Sequence, residues 1–176
     1  MTPDHETARR ALRDFSAALG TPISSDVLAT ASADEHARFA LYLDALSTAS
    51  DVDDRPAISA LLADPDRPMR ESVLVRHLED KARSSSASEF LDWIRGVGEL
   101  VSDSPFLRRR VEEWKSLKEV EQGDSMSEAQ ILEASDWFQL RLIAVARSPA
   151  LLDFLVINGR TKRIRDAASS RLPFES

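Results

Sequence analysis

The run Leu61-Leu62-Ala63-Asp64-Pro65-Asp66-Arg67-Pro68-Met69-Arg70-Glu71-Ser72-Val73-Leu74 constrains this chain more than any other segment. It reads as the end of one short helix, a tight Asp/Pro turn and the start of a second helix, because the residue before a proline is steered away from helical backbone. A related pattern returns at Leu155-Val156-Ile157-Asn158-Gly159-Arg160-Thr161-Lys162-Arg163-Ile164-Arg165-Asp166-Ala167-Ala168. A helix–turn–helix unit that recurs in one chain predicts an all-α fold of stacked antiparallel helical hairpins, and such stacks usually bind other macromolecules.

The rest of the chain also reads as helix. It has only 5 glycines, and Val and Ile do not alternate with polar residues as they would in a half-buried strand. Thr2-Pro3 opens a helix with Ala8, Ala11, Leu12, Phe15 and Leu19 at helical spacing, and Gly20 stops it. Three pairs have the spacing of a capping box, in which each side chain satisfies a free amide of the other's turn: Ser32 with Glu35, Ser86 with Glu89, and Ser127 with Gln130. The Glu35 helix is expected to put His36, Phe39, Ala40 and Leu43 on one face. Ser104-Pro105 and Ser148-Pro149 open two more helices, since proline at the first helical position gives up an amide that had no partner. The Ser104 helix carries a stripe of Leu107, Val111 and Trp114 and ends near Gln122-Gly123. The Ser148 helix is apolar almost all round, and Trp137 to Ala146 is nearly as apolar, so these two are expected to form the most buried hairpin.

With 176 residues, 43% of them hydrophobic, the chain is long enough for one domain, 1–176, with a real core. The segment at 84–88 is the best candidate for a boundary inside it, although at that length a loop between hairpins fits better. No apolar run reaches membrane-spanning length, and the polar, acidic start (Met1-Thr2-Pro3-Asp4-His5-Glu6) matches neither a secretory signal nor a transit peptide. The absence of cysteine excludes disulfides, thiolate metal sites and cysteine nucleophiles, and makes a cytoplasmic location the default expectation. The net charge of −7 argues against a nucleic-acid partner, yet acid and base are unevenly spread: residues 1–56 hold 10 acidic and 5 basic side chains, residues 126–176 hold 6 and 7.

Residues 57–78 resemble a HEAT-type repeat, with two leucines, Asp64-Pro65 at the turn, then Arg70 and an apolar run. Residues 137–172 are similar both to HEAT repeats and to the variant leucine-rich repeat, through Arg141, Ala144-Val145-Ala146, Ser148-Pro149, Leu151-Leu152 and Arg165-Asp166-Ala167-Ala168. The resemblance implies an α-solenoid that binds proteins, or in some members DNA. Residues 84–134 fit the repeat poorly and the variant repeat's cysteine cluster is absent, so an irregular helical bundle is the alternative architecture.

No catalytic constellation stands out. His5, His36 and His77 lie on separate helices without metal-ligand spacing, and the latter two read as ordinary helix-face residues. Gly96-Val97-Gly98 follows no strand, so it reads as a close approach or kink rather than a phosphate turn. Asp51-Val52-Asp53-Asp54 lacks the spaced ligands and glycine of a calcium loop, and Asp54 reads as the cap of the helix containing Pro56. No nucleophile turn is present. Two basic clusters remain, Arg108-Arg109-Arg110 and Arg160, Lys162, Arg163 and Arg165, each either a solvated helix face or a patch for phosphate or an acidic partner. The sequence therefore points to a non-catalytic protein–protein interaction module with no cofactor, no metal and no membrane association. Nucleic-acid binding through residues 160–165 is the alternative.

Overall fold

The computed structural model describes residues 3–48 and 53–172, and all regular structure among them is α-helical. Thr2, Asp51 and Val52 lie outside the described residues. The chain divides into two compact units, residues 1–111 and 112–176. The first holds α1 (Pro3–Leu19), α2 (Ser25–Ala33), α3 (Glu35–Thr48), α4 (Arg55–Leu62), α5 (Arg67–Ser84), α6 (Ala87–Leu100) and the opening of α7 (Pro105–Gln122). The second holds the remainder of α7, then α8 (Glu128–Glu133), α9 (Asp136–Val145), α10 (Pro149–Asn158) and α11 (Lys162–Arg171). The division falls inside α7, and the 84–88 segment is the short α5–α6 turn within the first unit.

Helix starts follow local chemistry. Ser86 with Glu89 and Ser127 with Gln130 form complete, reciprocal capping boxes. Ser104 accepts the Leu107 amide at 3.2 Å, whereas Ser148 makes no side-chain cap. The Ser32–Glu35 box does not form. Ser32 lies inside α2 and donates to the Ala29 carbonyl, while Asp34 accepts the His36 amide at 2.8 Å and so caps α3. Helix ends are equally local: Gly20 and Gly123 sit at φ 66° and 110°. The Asp124 amide reaches back to the Glu119 carbonyl at 3.1 Å and the Gly123 amide to Val120 at 3.0 Å, the paired bonds of a Schellman stop that needs left-handed backbone.

In the first unit α1 packs on α4 and α2, α2 on α3, α3 on α5, and α4 and α5 on α6. The α1 stripe read from the sequence is the buried one, with Leu12 and Phe15 wholly inaccessible. In α3 the buried face is Arg38, Tyr42 and Leu46, which corrects the expected His36–Leu43 face. His36 is exposed. The reason is the Asp64-Pro65-Asp66 turn between α4 and α5. Asp64 is fully buried there and its carboxylate accepts the Tyr42 hydroxyl at 3.0 Å and the Asp66 amide at 3.0 Å, and forms an ion pair with Arg38, whose Nε lies 2.9 Å away. Arg70 donates to the Asp64 carbonyl, and Arg38 also reaches the Ala31 carbonyl ending α2 at 3.0 Å. Burial, followed by the neighbouring Asp64 charge, pushes the Tyr42 phenol far up, so it stays a hydrogen-bond donor.

In the second unit α10 packs on α11 and α11 on α9. Leu155 and Ile164 are both fully buried on the two sides of the Gly159 turn. Trp114 and Trp137 meet edge to face with centroids 5.2 Å apart. Buried Gln139 donates to the Ile131 carbonyl at 2.7 Å and accepts the Arg160 amide at 3.1 Å. Two charged side chains are also buried in this unit: Glu113, which accepts the Ser135 amide at 3.2 Å, and Lys118, which pairs with Glu121 at 2.9 Å.

Candidate functional site

The Schellman stop at Gly123 turns the chain across the end of α7 and opens one side of a groove in the second unit. Val120 of α7, Met126 of the turn, Ile131 of α8 and Leu142 of α9 contribute apolar surface, and Ala150, Leu151 and Phe154 of α10 complete it. Ile131 and Leu142 are buried and form the base. Glu121, Asp124 and Glu128 bring carboxylates to the edge, with one cation, Arg147. The cavity volume is about 410 Å³, within the ~300–1,000 Å³ of ordinary binding pockets.

The groove exists because α10 is apolar on two faces and only one is covered. Leu152 and Leu155 are buried. Ala150, Phe154 and Ile157 recur at spacings of four and three on the other side. Ala150 is exposed, Leu151 and Phe154 are half-buried, and Ile157 is 75% exposed. The expectation that α9 and α10 form the most buried hairpin is thus corrected. α10 packs chiefly on α11, and Ala150 and Ile157, with part of Leu151 and Phe154, stay open. A second apolar face has no use in a helix already packed on one side, and exposed apolar stripes of this kind mark interaction surfaces.

The basic residues singled out from the sequence are divided between the units. Arg108, Arg109 and Arg110 belong to the first unit, with Arg108 and Arg109 exposed and Arg110 half-buried. In the second, Arg160 donates to the Ala134 carbonyl at 3.0 Å and pairs with Asp136 at 3.3 Å. Arg165 donates to the Gly159 carbonyl at 2.7 Å. Arg171, which sequence reading passed over, holds the Ala144 and Ala146 carbonyls at 2.7 and 3.1 Å. These guanidiniums satisfy carbonyls left without partners at the ends of α8, α9 and α10. Lys162 and Arg163 are exposed and make no ion pair among the described residues.

A second polar cluster, in the first unit, was missed by sequence reading. Asp54 occupies the N-cap position of α4 without capping it. Its carboxylate is buried and instead accepts Trp93 Nε1 at 2.7 Å, lies 2.8 Å from His77 Nε2 and pairs with Lys81 Nζ at 3.2 Å. His77 is accordingly a buried partner of Asp54, not an ordinary helix-face residue. Burial alone would raise the Asp54 carboxyl, but the hydrogen bonds from His77 and Trp93, with the charges of His77 and Lys81, outweigh it and hold it below the ordinary value. His77, Lys81 and Trp93 border a cavity of about 480 Å³. Its other polar walls are engaged too: Ser84 bonds the Asp80 carbonyl, Asp80 pairs with Arg76 and Arg83, and Glu89 closes the Ser86 capping box. The cluster ties α4, α5 and α6 together.

Gly96 faces the Arg55 side chain on α4, where a Cβ would come 2.8 Å from Cδ, in keeping with a close approach. No group of three or more potential metal ligands occurs among the described residues. No helix among them is long and apolar enough to cross a membrane. No family model, curated protein or solved structure matches the chain.

Proposed function

We propose that this protein is a non-catalytic interaction module whose second unit receives an apolar helix of another protein in the α7–α8–α10 groove. The open apolar face of α10 carries this reading: Leu151 and Phe154 line the groove, and Ile157 continues their stripe into solvent. Among the described residues there is no sheet edge to extend with a strand, so helix-in-groove recognition is the mode the surface suits. We read the α10–α11 hairpin as HEAT-like, in line with the resemblance of residues 137–172, and the cysteine-free chain as cytoplasmic. Nucleic-acid binding at residues 160–165 is less well supported, because Arg160 and Arg165 already hold backbone carbonyls and, of the four cations there, Lys162 and Arg163 alone make no ion pair or carbonyl contact among the described residues.

A displayed library of helical peptides, panned against the full chain and against its Leu151→Asp/Phe154→Asp variant, tests the reading. The expected result is enrichment on the parent chain of sequences with apolar residues three, four and seven apart, lost on the variant. Both substituted side chains are already part-exposed, so circular dichroism should stay unchanged. Equal enrichment on both proteins, or none on either, would overturn the proposal.

A further inference from the structure

We infer that the helix the groove accepts is basic along the flanks of its apolar stripe. The inference rests on the interaction-module reading above and adds the partner's charge. Three carboxylates against one guanidinium edge the apolar surface: Glu121, Asp124 and Glu128 with Arg147. Glu121 already holds Lys118 at 2.9 Å. Asp124 and Glu128 make no ion pair among the described residues, so their charge faces whatever lies in the groove. Residues 112–176 carry 11 acidic and 9 basic side chains, so the unit's own balance is slightly negative as well. A partner with acidic flanks would set like charges beside Asp124 and Glu128, which costs affinity, whereas lysines or arginines there pair with them and speed encounter.

The apolar stripe sets the partner's size. Ala150 to Ile157 takes in eight residues of helix, whose ends lie about 10 Å apart along the axis at ~1.5 Å per step. That suits two turns of a crossing helix with anchors three or four residues apart, longer than a small apolar ligand covers. The carboxylates also exclude phosphate at this surface, so an acidic lipid headgroup or nucleic acid is an occupant the charges reject.

Two synthetic amphipathic peptides of about five helical turns, identical in their Leu stripe and carrying either lysine or glutamate on the flanks, separate the possibilities. Their binding to the full chain would be followed by fluorescence anisotropy at low and moderate salt. The basic-flanked peptide is expected to bind about tenfold tighter, the sum of a few exposed ion pairs. The margin should shrink as salt rises, and Asp124→Lys/Glu128→Lys should reverse the preference. Leu151→Asp/Phe154→Asp should abolish both interactions. If both peptides bind equally and that apolar-face variant still abolishes them, the charge inference fails while the module reading stands. If neither peptide binds the parent chain, or binding survives Leu151→Asp/Phe154→Asp, both fail.

Discussion

The two units solve the same problem, fixing short helices at set angles, with different weights of the same chemistry. The first buries charge: Asp54 and Asp64 are each almost inaccessible, and together they bind Arg38, Tyr42, His77, Lys81 and Trp93 from three helices, α3, α5 and α6. The second joins its helices through the neutral Gln139 and through arginines that close their carbonyl ends, and its buried Glu113 and Lys118 gather no such set of partners from several helices in the contacts they make to Ser135 and Glu121. A buried carboxylate demands every partner it has, because an unpaired charge in a low-dielectric interior is expensive. The first unit's polar groups are therefore turned inward. The second unit needs no such convergence and leaves an apolar helix face uncovered. The more eye-catching chemistry is structural, and the plainer surface is the better candidate for binding.

The largest expected effect breaks the first unit alone. Asp64→Ala leaves the Arg38 guanidinium buried without its carboxylate, which should cost ~3–5 kcal/mol. Hydrogen exchange read by mass spectrometry should then rise across α3 to α5 and remain unchanged in α9 to α11. Uniform loss of protection would mean the units do not differ as described.

Acid should separate the units next. Asp54 titrates lower in the folded chain than in the unfolded one. Its contribution is therefore fully present above the unfolded value of about 3.9 and is lost as pH falls through the folded value. Asp54→Asn should unfold at lower urea than the parent at neutral pH, and the two midpoints should converge on acidification. Parallel midpoints from about pH 6 to pH 3 would contradict the assignment. Gln139 does not titrate and adds no such dependence to the second unit.

A smaller change probes the α10–α11 hairpin. A Cβ on Gly159 would lie 2.6 Å from the Leu155 carbonyl oxygen and 2.7 Å from Ile164 Cγ2, so Gly159→Ala must push two buried elements apart. The expected loss is ~1–3 kcal/mol, the range for overpacked cores, seen as lost protection in α10 and α11. Smallest of all, Ile157→Asp should change stability by no more than ~0.5 kcal/mol, because that side chain is 75% exposed, while weakening peptide binding.

Features set by near neighbours in sequence could be read directly. The capping boxes at Ser86 and Ser127, the glycine stops at Gly20 and Gly123 and the α1 stripe each depend on residues within a few turns of one another. The buried hubs could not. Asp54 meets His77 and Trp93 across 23 and 39 residues, and Asp64 meets Tyr42 across 22, distances over which periodicity carries no signal. The α3 face was misjudged for the same reason: a stripe of apolar residues was sought, but a buried arginine defines the face. On α10, a sequence apolar almost all round could not say which side the fold covers. The basic run at residues 160–165 was legible as a cluster, yet the carbonyls that Arg160 and Arg165 hold belong to helix ends that only the folded chain brings near.

The groove itself is tested most directly by nuclear magnetic resonance, titrating the isotope-labelled full chain with the basic-flanked peptide. The expected result is a set of shifted amides confined to residues 120–131 and 150–157, with the Asp54 cluster and Lys162–Arg165 unmoved. Shifts centred on Lys162 and Arg163 or on the Asp54 cavity, or none at all at saturating peptide, would contradict the account.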